Sequence, residues 1–127
     1  MSQPTVAIVG ASSDRSKFGN KSVRAHLQQG YEVYPVNPKG GTIEGLQVYQ
    51  SLSDVPAQHL NKISVYLPSA IGIKLLDEIV QKQCDELLFN PGSESDELLE
   101  RAQQLGLNPI VACSIVELGI SPSEIAG

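Results

Sequence analysis

The sequence has 127 residues, of which 41% are hydrophobic and 18% charged, and its formal net charge is −5. This length predicts one domain over residues 1–127, large enough to fold around a single core without metals or disulfides. The composition excludes a disordered chain, the acidic balance argues against a nucleic-acid partner, and no apolar run approaches the roughly 20 residues of a membrane span.

Strand-like and helix-like segments alternate along the chain. Thr5–Val9 is a continuous, mostly β-branched run, which is typical of a strand buried on both faces. The later elements follow in order: helix 18–29 ended by Gly30, strand 31–36, a short edge strand from 42–43 and 46–49, a helical turn at 51–55, strand 62–67, helix 70–83, strand 86–89, helix 95–105 ended by Gly106, and strand 109–112. This alternation predicts a Rossmann-like, doubly wound α/β fold: a mainly parallel sheet of five to six strands in three αβα layers.

Five side chains have specific expected positions. Val23 and Leu27, four residues apart on the first helix, should face the core. Pro35 lacks an N–H donor, so we expect it at a strand end. His26 lies between those two helical residues, and we expect it, like His59 in a loop, at the surface or its boundary.

Loops that follow the strands are the predicted ligand site, because open parallel sheets bind ligands beyond the carboxyl ends of their strands. These loops are 10–17, 37–41, 68–70, 90–94 and the segment after Ala112. In the first, Gly10 permits a tight turn, and the N–H groups of Ala11, Ser12 and Ser13 are placed to point at a phosphate. The full Gly-x-Gly-x-x-Gly fingerprint is absent, and a plain strand-to-helix turn explains this loop nearly as well.

The end of the second strand argues against NAD. An NAD-binding unit places an Asp or Glu there to hold the ribose hydroxyls. This chain instead has Asn37, Pro38 and Lys39, which offer a cation and no carboxylate. A lysine at this place favours an extra phosphate on the ribose, although Lys39 can also be an ordinary solvated loop residue.

Several blocks of the sequence together resemble one known family. They are Val9-Gly-Ala-Ser12, Lys17-Phe-Gly-Asn20, Gly30-Tyr-Glu-Val-Tyr-Pro-Val-Asn-Pro-Lys39, Ile43-Glu-Gly-Leu46, Asn90-Pro-Gly-Ser-Glu94 and Cys113. In this order they resemble the small stand-alone CoA-binding domains, which are related to the CoA-binding domain of the succinyl-CoA synthetase α chain. The resemblance implies a Rossmann-like fold with coenzyme A lying across the tops of the strands.

Residue roles follow from that resemblance. Gly10, Ala11, Ser12 and Ser13 would contact the phosphate-bearing part of CoA, with Arg15 and Lys17 nearby; Asn37, Pro38 and Lys39 would meet the adenosine 3′-phosphate; Leu67 and Pro68 would border the adenine and pantetheine path; and Asn90, Pro91 and Gly92 would line its far end. Two positions depart from the family pattern. Tyr66-Leu-Pro-Ser-Ala70 replaces an Arg-Pro-Pro-type turn, and Asn90 replaces a glutamine.

Catalytic chemistry has few candidates in this sequence. No metal-ligand spacing occurs, and the two histidines lack partners nearby in the chain. Cys113 follows the last strand, where it can meet the CoA thiol, although a buried structural cysteine is the simpler interpretation. Cys84 reads as a free thiol, and two cysteines are too few for a disulfide framework, so we expect a cytoplasmic protein.

Three functional hypotheses remain open from the sequence. The first is a non-catalytic CoA or acyl-CoA binding protein, acting alone, as a homodimer or with a protein partner. The second is an NADP-dependent reductase in which Lys39 reads the 2′-phosphate, although no proton donor is placed for hydride chemistry. The third is an interaction module that kept the fold without its ligand.

Overall fold

A computed structural model describes residues 3–125 of the chain, so Met1, Ser2, Ala126 and Gly127 lie outside the described residues. Its main sheet contains the strands β1 (Thr5–Val9), β2 (Glu32–Val36), β5 (Leu60–Val65), β6 (Cys84–Phe89) and β7 (Pro109–Val111). A separate hairpin consists of β3 (Thr42–Ile43) and β4 (Leu46–Gln47). The helices are α1 (Phe18–Gln28), α2 (Ser69–Lys82), α3 (Asp96–Gln104) and the short α4 (Ser114–Glu117), and 3-10 turns form at Leu52–Asp54 and Pro122–Glu124.

The five strands run parallel in the order β2-β1-β5-β6-β7. The chain first moves from β1 outward to β2, then returns past β1 to β5 and continues in the opposite direction to β7. This reversal puts α1 on one face of the sheet and α2 and α3 on the other, because βαβ crossovers are right-handed. The predicted Rossmann-like fold is therefore confirmed, with a five-stranded sheet. The reversal lies between β1 and β5, which is where such sheets open a cleft for ligands.

Strand β1 shows why the buried strands read as continuous apolar runs. Val6 and Ile8 belong to the core cluster on the α1 face, whereas Ala7 and Val9 belong to the larger cluster beneath α2 and α3. Alternate side chains of one strand thus serve two cores. Within residues 3–125, no helix is long and apolar enough to cross a membrane.

Pro35 lies next to the end of β2 and close to its predicted position. The strand is at the edge of the main sheet, and the Pro35 carbonyl accepts a hydrogen bond from the Tyr49 N–H at 2.9 Å on the side away from β1. The N and C=O of one strand residue point the same way, so the ring nitrogen of Pro35 also faces that outer edge. The hydrogen-bond ladder between β2 and β1 therefore loses no N–H donor.

The expected inward face of α1 was partly wrong. Val23 is buried as predicted, but Leu27 is 37% exposed and His26 is completely buried. The α1 surface that meets the sheet carries polar side chains, including Ser22, and it faces polar side chains of β5. Burial of His26 therefore follows from hydrogen bonds that the apolar periodicity did not reveal. His59 is exposed, as predicted, and its Nε2 lies 2.8 Å from the Asp85 carboxylate.

Candidate ligand-binding cavity

A cavity of about 840 Å³ opens at the carboxyl ends of the strands, and its volume is within the range of small-molecule sites. It follows the loops after β2, β1, β5, β6 and β7 in turn. Its lining consists of Gly10, Ala11, Ser12, Lys17, Phe18, Gly19, Asn37, Lys39, Tyr66, Leu67, Pro68, Asn90, Pro91, Gly92, Ser93, Cys113 and Pro122.

Two glycines allow the loop after β1 and the first turn of α1 to come together. Gly10 has φ +90°, and a Cβ there would lie 3.1 Å from Leu67 Cδ2. A Cβ on Gly19 would lie 2.5 Å from the Gly10 carbonyl oxygen, which is an impossible approach. The Asn20 side chain closes the same corner by donating to the Ser12 carbonyl at 2.8 Å. Sequence reasoning missed Gly19, although it stands in the Lys17-Phe-Gly-Asn20 block.

The expected phosphate-facing amides are only partly available. The Gly10 and Ala11 N–H groups donate to the Val36 carbonyl at 3.1 and 3.3 Å, so the expectation for the Ala11 amide is wrong. The Ser12 hydroxyl accepts from the Asp14 N–H at 3.0 Å. The N–H groups of Ser12 and Ser13 find no acceptor among residues 3–125 and remain available to an anion.

Two long helices present uncapped N-termini at the cavity. Helix α1 follows Lys17 and α2 follows Pro68, and neither helix has a capping side chain or an acidic residue in its first turn. Helix α3 differs, because the Ser95 side chain accepts from the Leu98 N–H and acidic residues occupy its first turn. The partial positive ends of α1 and α2 are therefore left for a bound anion, whereas that of α3 is satisfied internally.

The basic residues of the site fall into two groups. Lys17 and Lys39 line the cavity at its β1 and β2 end. Arg15 does not line it: the Arg15 Nε lies 3.6 Å from the Glu44 carboxylate, which belongs to the hairpin turn. The predicted residues Ser13 and Pro38 are exposed and also lie outside the lining.

Asn37 and Asn90 line the cavity, but their side chains hold the loops in place. The Asn37 amide donates to the Ala11 carbonyl, and its oxygen accepts from the Lys39 N–H, both at 2.8 Å. Asn90 is 2% exposed; its amide donates to the Ser64 hydroxyl and its oxygen accepts from the Ser114 N–H, both at 2.8 Å. These asparagines thus join neighbouring loops across the tops of the strands.

A buried polar network continues from Asn90 beneath the cavity. The Ser114 hydroxyl bonds with those of Ser64 and Tyr66 at 2.8 Å and with that of Ser22 at 3.3 Å. Tyr66 links this network to the cavity, and burial raises the pKa of its hydroxyl. Lys62, Ser64 and Tyr66 occupy every second position along β5 and the residue that follows it. This period-two pattern of polar side chains was a signal in the sequence for a polar face of β5.

The network ends at His26. Its Nδ1–H donates to the Ser22 carbonyl at 2.8 Å, and its Nε2 accepts from the Lys62 ammonium at 3.3 Å. Burial is the main cause that lowers the pKa of His26 to about 4; the Ser22 backbone hydrogen bond opposes this shift and the charge of Lys62 adds to it. Lys62 is itself 4% exposed, and its ammonium lies 4.8 Å from the centre of the Tyr31 ring.

Four lining residues besides Gly19 were not named individually from the sequence: Phe18, Tyr66, Ser93 and Pro122. Ser93 lies in the predicted loop 90–94, and Pro122 lies in the predicted segment after Ala112. Phe18 is 53% exposed at the cavity, which is unusual for a large aromatic side chain. Cys113 does line the cavity, half-buried. Among the described residues, the lining has no Asp, Glu or His side chain, and no cluster of three or more metal-ligating side chains occurs over residues 3–125.

Comparison with known proteins gives consistent matches. Residues 4–119 match the family model described as CoA binding domain. Acetate–CoA ligase (ADP-forming) I subunit alpha of Pyrococcus furiosus is 33% identical over an 84-residue alignment, which covers 61% of this chain and 18% of that protein. The corresponding ligase of Methanocaldococcus jannaschii is 31% identical over 61% of this chain and 11% of its own length. The chain thus spans less than a fifth of these two relatives.

Solved structures extend the comparison. A conserved hypothetical protein from Pyrococcus furiosus superposes with a TM-score of 0.81 and 32% identity, over 91% of this chain and 99% of that one. The apo dinucleotide-forming acetyl-coenzyme A synthetase 1 of Ca. Korarchaeum cryptofilum superposes with a TM-score of 0.69 and 26% identity, over 85% of this chain and 26% of that one. This fold therefore occurs both as a small separate protein and as part of a larger enzyme.

Proposed function

The chain belongs to the family of CoA-binding domains, and we propose that it is a non-catalytic binding protein for coenzyme A or an acyl-CoA. The ligand lies across the carboxyl ends of the strands, with its phosphates toward β1 and β2 and its thiol toward β6 and β7.

One observation carries the proposal: the positive charge of the cavity lining is confined to one end, which matches the distribution of negative charge in CoA. Lys17 and Lys39 both lie at the β1 and β2 end, next to the uncapped α1 N-terminus. The loops after β6 and β7 contribute uncharged residues to the other end, among them Ser93 and Cys113. CoA has the same asymmetry, because its phosphates are confined to the nucleotide half and its pantetheine arm is neutral.

Lys39 is the residue proposed to read the 3′-phosphate. It follows β2, the place where NAD-binding domains keep a carboxylate, and its backbone is held by the Asn37 side chain. Its side chain lines the cavity and is exposed, so it can reach a phosphate without a desolvation cost. The same lysine also suits a 2′-phosphate, and NADP is therefore the competing ligand that an experiment has to exclude.

The absence of catalysis is proposed from the composition of the lining. Over residues 3–125 the cavity offers no carboxylate or imidazole to act as a general acid or base. His26 is held neutral within the buried network, and His59 is not among the lining residues. Hydride transfer to a carbonyl substrate also needs a proton donor. The Tyr66 hydroxyl lines the cavity but is held by the Ser114 hydroxyl at 2.8 Å, so these observations favour binding over reductase activity.

Isothermal titration of the reduced protein with CoA, dephospho-CoA, NADP and ATP tests this proposal. We expect CoA to bind most tightly, with dephospho-CoA weaker because it lacks the 3′-phosphate. Tighter binding of NADP than of CoA would favour the reductase hypothesis. Neither heat nor thermal stabilisation from any of the four would favour the interaction module.

Lys39→Ala locates the phosphate contact. One exposed charge pair contributes up to about 1 kcal/mol, so CoA should bind about fivefold more weakly while dephospho-CoA changes less than about twofold. Lys74→Ala removes an equally exposed lysine from α2, away from the cavity lining, and is the matched control. Equal weakening of both ligands in Lys39→Ala would remove Lys39 from this role.

A further inference from the structure

Two asparagines hold the turn that follows β1. The Asn37 amide donates to the Ala11 carbonyl and the Asn20 amide donates to the Ser12 carbonyl, both at 2.8 Å. In a trans peptide the N–H points opposite to the C=O, so the N–H groups of Ser12 and Ser13 point away from these asparagines. Neither N–H finds an acceptor among residues 3–125. The turn is therefore held by its carbonyls and presents two consecutive N–H groups, an arrangement that suits an anion.

Asn20 is itself fixed by charged neighbours on both sides of its amide group. It is completely buried on α1, and its Oδ1 accepts from the Arg24 Nε at 2.7 Å. Its Nδ2 donates to the Glu44 carboxylate at 3.2 Å as well as to the Ser12 carbonyl. Because a guanidinium only donates and a carboxylate only accepts, turning the amide over would break both contacts. The two charged groups therefore keep the donor of Asn20 directed at Ser12.

Glu44 stands at the tip of the β3–β4 hairpin, in a backbone conformation that glutamate rarely adopts. The two-residue turn consists of Glu44 and Gly45, with φ +50° and +78°. Asparagine and glycine favour such left-handed positions, whereas a longer side chain there costs free energy. Non-glycine residues persist in this conformation where their surroundings hold them, and they cluster at functional sites. The groups that hold the Glu44 carboxylate are the Asn20 amide and the Arg15 guanidinium, whose Nε lies 3.6 Å away.

We infer that Glu44 is a positioning residue for the ligand phosphates: through Asn20 it fixes the turn at Ser12, so that the N–H groups of Ser12 and Ser13 bind the CoA diphosphate. This inference rests on the proposed CoA-binding function. Lys39 is proposed to read the 3′-phosphate at the end of β2, which leaves the diphosphate for the neighbouring turn after β1. Because Glu44 is outside the cavity lining, its carboxylate acts through Asn20 and not on the ligand itself.

Removal of the Glu44 carboxylate has opposite effects by charge and by positioning. Glu44 is a negative charge beside a site for a polyanion, and it also pairs with Arg15. On charge alone, its removal should strengthen CoA binding. If Glu44 acts by positioning, loss of its hydrogen-bond acceptor should weaken CoA binding instead, because the turn at Ser12 is no longer held in the binding conformation.

Glu44→Asn and Glu44→Gln, measured by titration calorimetry with CoA, separate charge from positioning. Asparagine suits the left-handed turn but is one methylene too short to reach Asn20, so CoA should bind at least about fivefold more weakly. Glutamine removes the same charge and keeps the reach. Its amide oxygen can accept where Asn20 and Arg15 both donate, so it should recover most of the affinity that asparagine loses. Glu86→Gln removes an exposed carboxylate of β6, outside the cavity lining, and should leave CoA binding unchanged.

Dephospho-CoA identifies which phosphate is affected. It keeps the diphosphate, so Glu44→Asn should weaken its binding by the same factor as that of CoA, in contrast to Lys39→Ala. A loss confined to CoA would move the effect to the 3′-phosphate and overturn the inference. If the wild type binds CoA and Glu44→Asn binds it as tightly, or if both Glu44 variants lose affinity equally, positioning by Glu44 is overturned while the proposed function stands. A wild-type protein that binds no CoA would overturn that function.

Amide resonances of the turn provide a readout that a change in stability would not move. In the wild type, CoA should shift the amide protons of Ser12 and Ser13 downfield, as hydrogen bonds to an anion do. In Glu44→Asn saturated with CoA, these shifts should shrink while the shift at Lys39 persists. Wild-type shifts at Lys39 without any response of Ser12 and Ser13 would place the diphosphate elsewhere and contradict the inference.

Discussion

Acid should weaken this fold through His26, whose folded-state pKa of about 4 is below the ordinary histidine value of 6.5. Between these values the unfolded chain binds a proton that the folded protein does not. The contribution of His26 to the free energy of unfolding is therefore fully present above pH 6.5 and is lost as the pH falls toward 4. Lys62 is the charged group that bears on this ring, to which its ammonium donates, and the uncharged Tyr31 ring packs against it edge-on.

The size of the effect follows from the two pKa values. A full difference of this size corresponds to about 3 kcal/mol, and about 2 kcal/mol of it is lost between pH 7 and pH 5. That is a large part of a stability of roughly 5–15 kcal/mol. The loss should appear in urea unfolding curves, followed by circular dichroism, as a lower midpoint at pH 5.

His26→Gln isolates this contribution because glutamine keeps hydrogen-bonding groups but does not titrate. The variant is expected to be less stable at pH 7, yet its further loss between pH 7 and pH 5 should be smaller than that of the wild type by about 2 kcal/mol. His59→Gln removes the exposed histidine and should not reproduce that change in slope. The same pH dependence in wild type and His26→Gln would refute the assignment of a buried neutral imidazole.

Two further predictions concern the cavity. Gly19→Ala should destabilise the protein by about 1–3 kcal/mol in thermal or urea unfolding, because its Cβ would meet the Gly10 carbonyl. The matched helical variant Gly72→Ala should cost less, since its Cβ would meet side chains rather than backbone: the movable Leu98 at 3.0 Å and, in ordinary contact, Phe89 at 3.9 Å. Acetyl-CoA, which has no free thiol to consume the reagent, should protect Cys113 from iodoacetamide, as read by peptide mass spectrometry, since Cys113 lines the cavity. Burial raises the pKa of Cys84 to about 11, so Cys84 should react slowly with or without acetyl-CoA. Cys113 alkylation that acetyl-CoA does not slow would argue against a ligand at the β7 end.

The order of elements was predictable because local patterns and topology act together. The β-branched run of β1 and the glycines that end α1 and α3 are signals within a few residues, and right-handed crossovers then order the parallel strands. Boundaries moved where pairing outside the segment decides them. Strand β6 begins at Cys84, two residues before the predicted start, because Cys84 pairs with Leu60 of β5.

The interior polar network was not predictable from periodicity alone. Helix α1 buries His26 and exposes Leu27, the reverse of the hydrophobic expectation, because β5 supplies Lys62 as a donor to the imidazole. The burial of His26 therefore depends on a hydrogen-bond partner 36 residues away in the sequence. The signal that could have found it was the alternation of polar residues on β5, read together with Ser22 and His26 one helical turn apart.

The cavity was predictable as a set of loops but less so as a set of contacts. The carboxyl-end rule selected the loops that contain most of the lining. It gave no means of knowing that Asn37 and Asn90 bond to the neighbouring loops, or that Arg15 lies beside Glu44. The rule included the segment after Ala112 but did not single out Pro122, whose place in the lining depends on the packing of Ile120 and Ile125.

Amide chemical-shift mapping of the ¹⁵N-labelled protein during titration with CoA tests the central claim most directly, because it reports binding and location together. The account predicts saturable shifts at Ser12, Phe18, Lys39 and Cys113, which border the cavity, and little change at Asn61 and Lys82, which lie outside its lining. Dephospho-CoA should reproduce these shifts except around Lys39. A spectrum unchanged by CoA, or shifts that leave the cavity residues unaffected, would contradict the claim that this cavity is a CoA site.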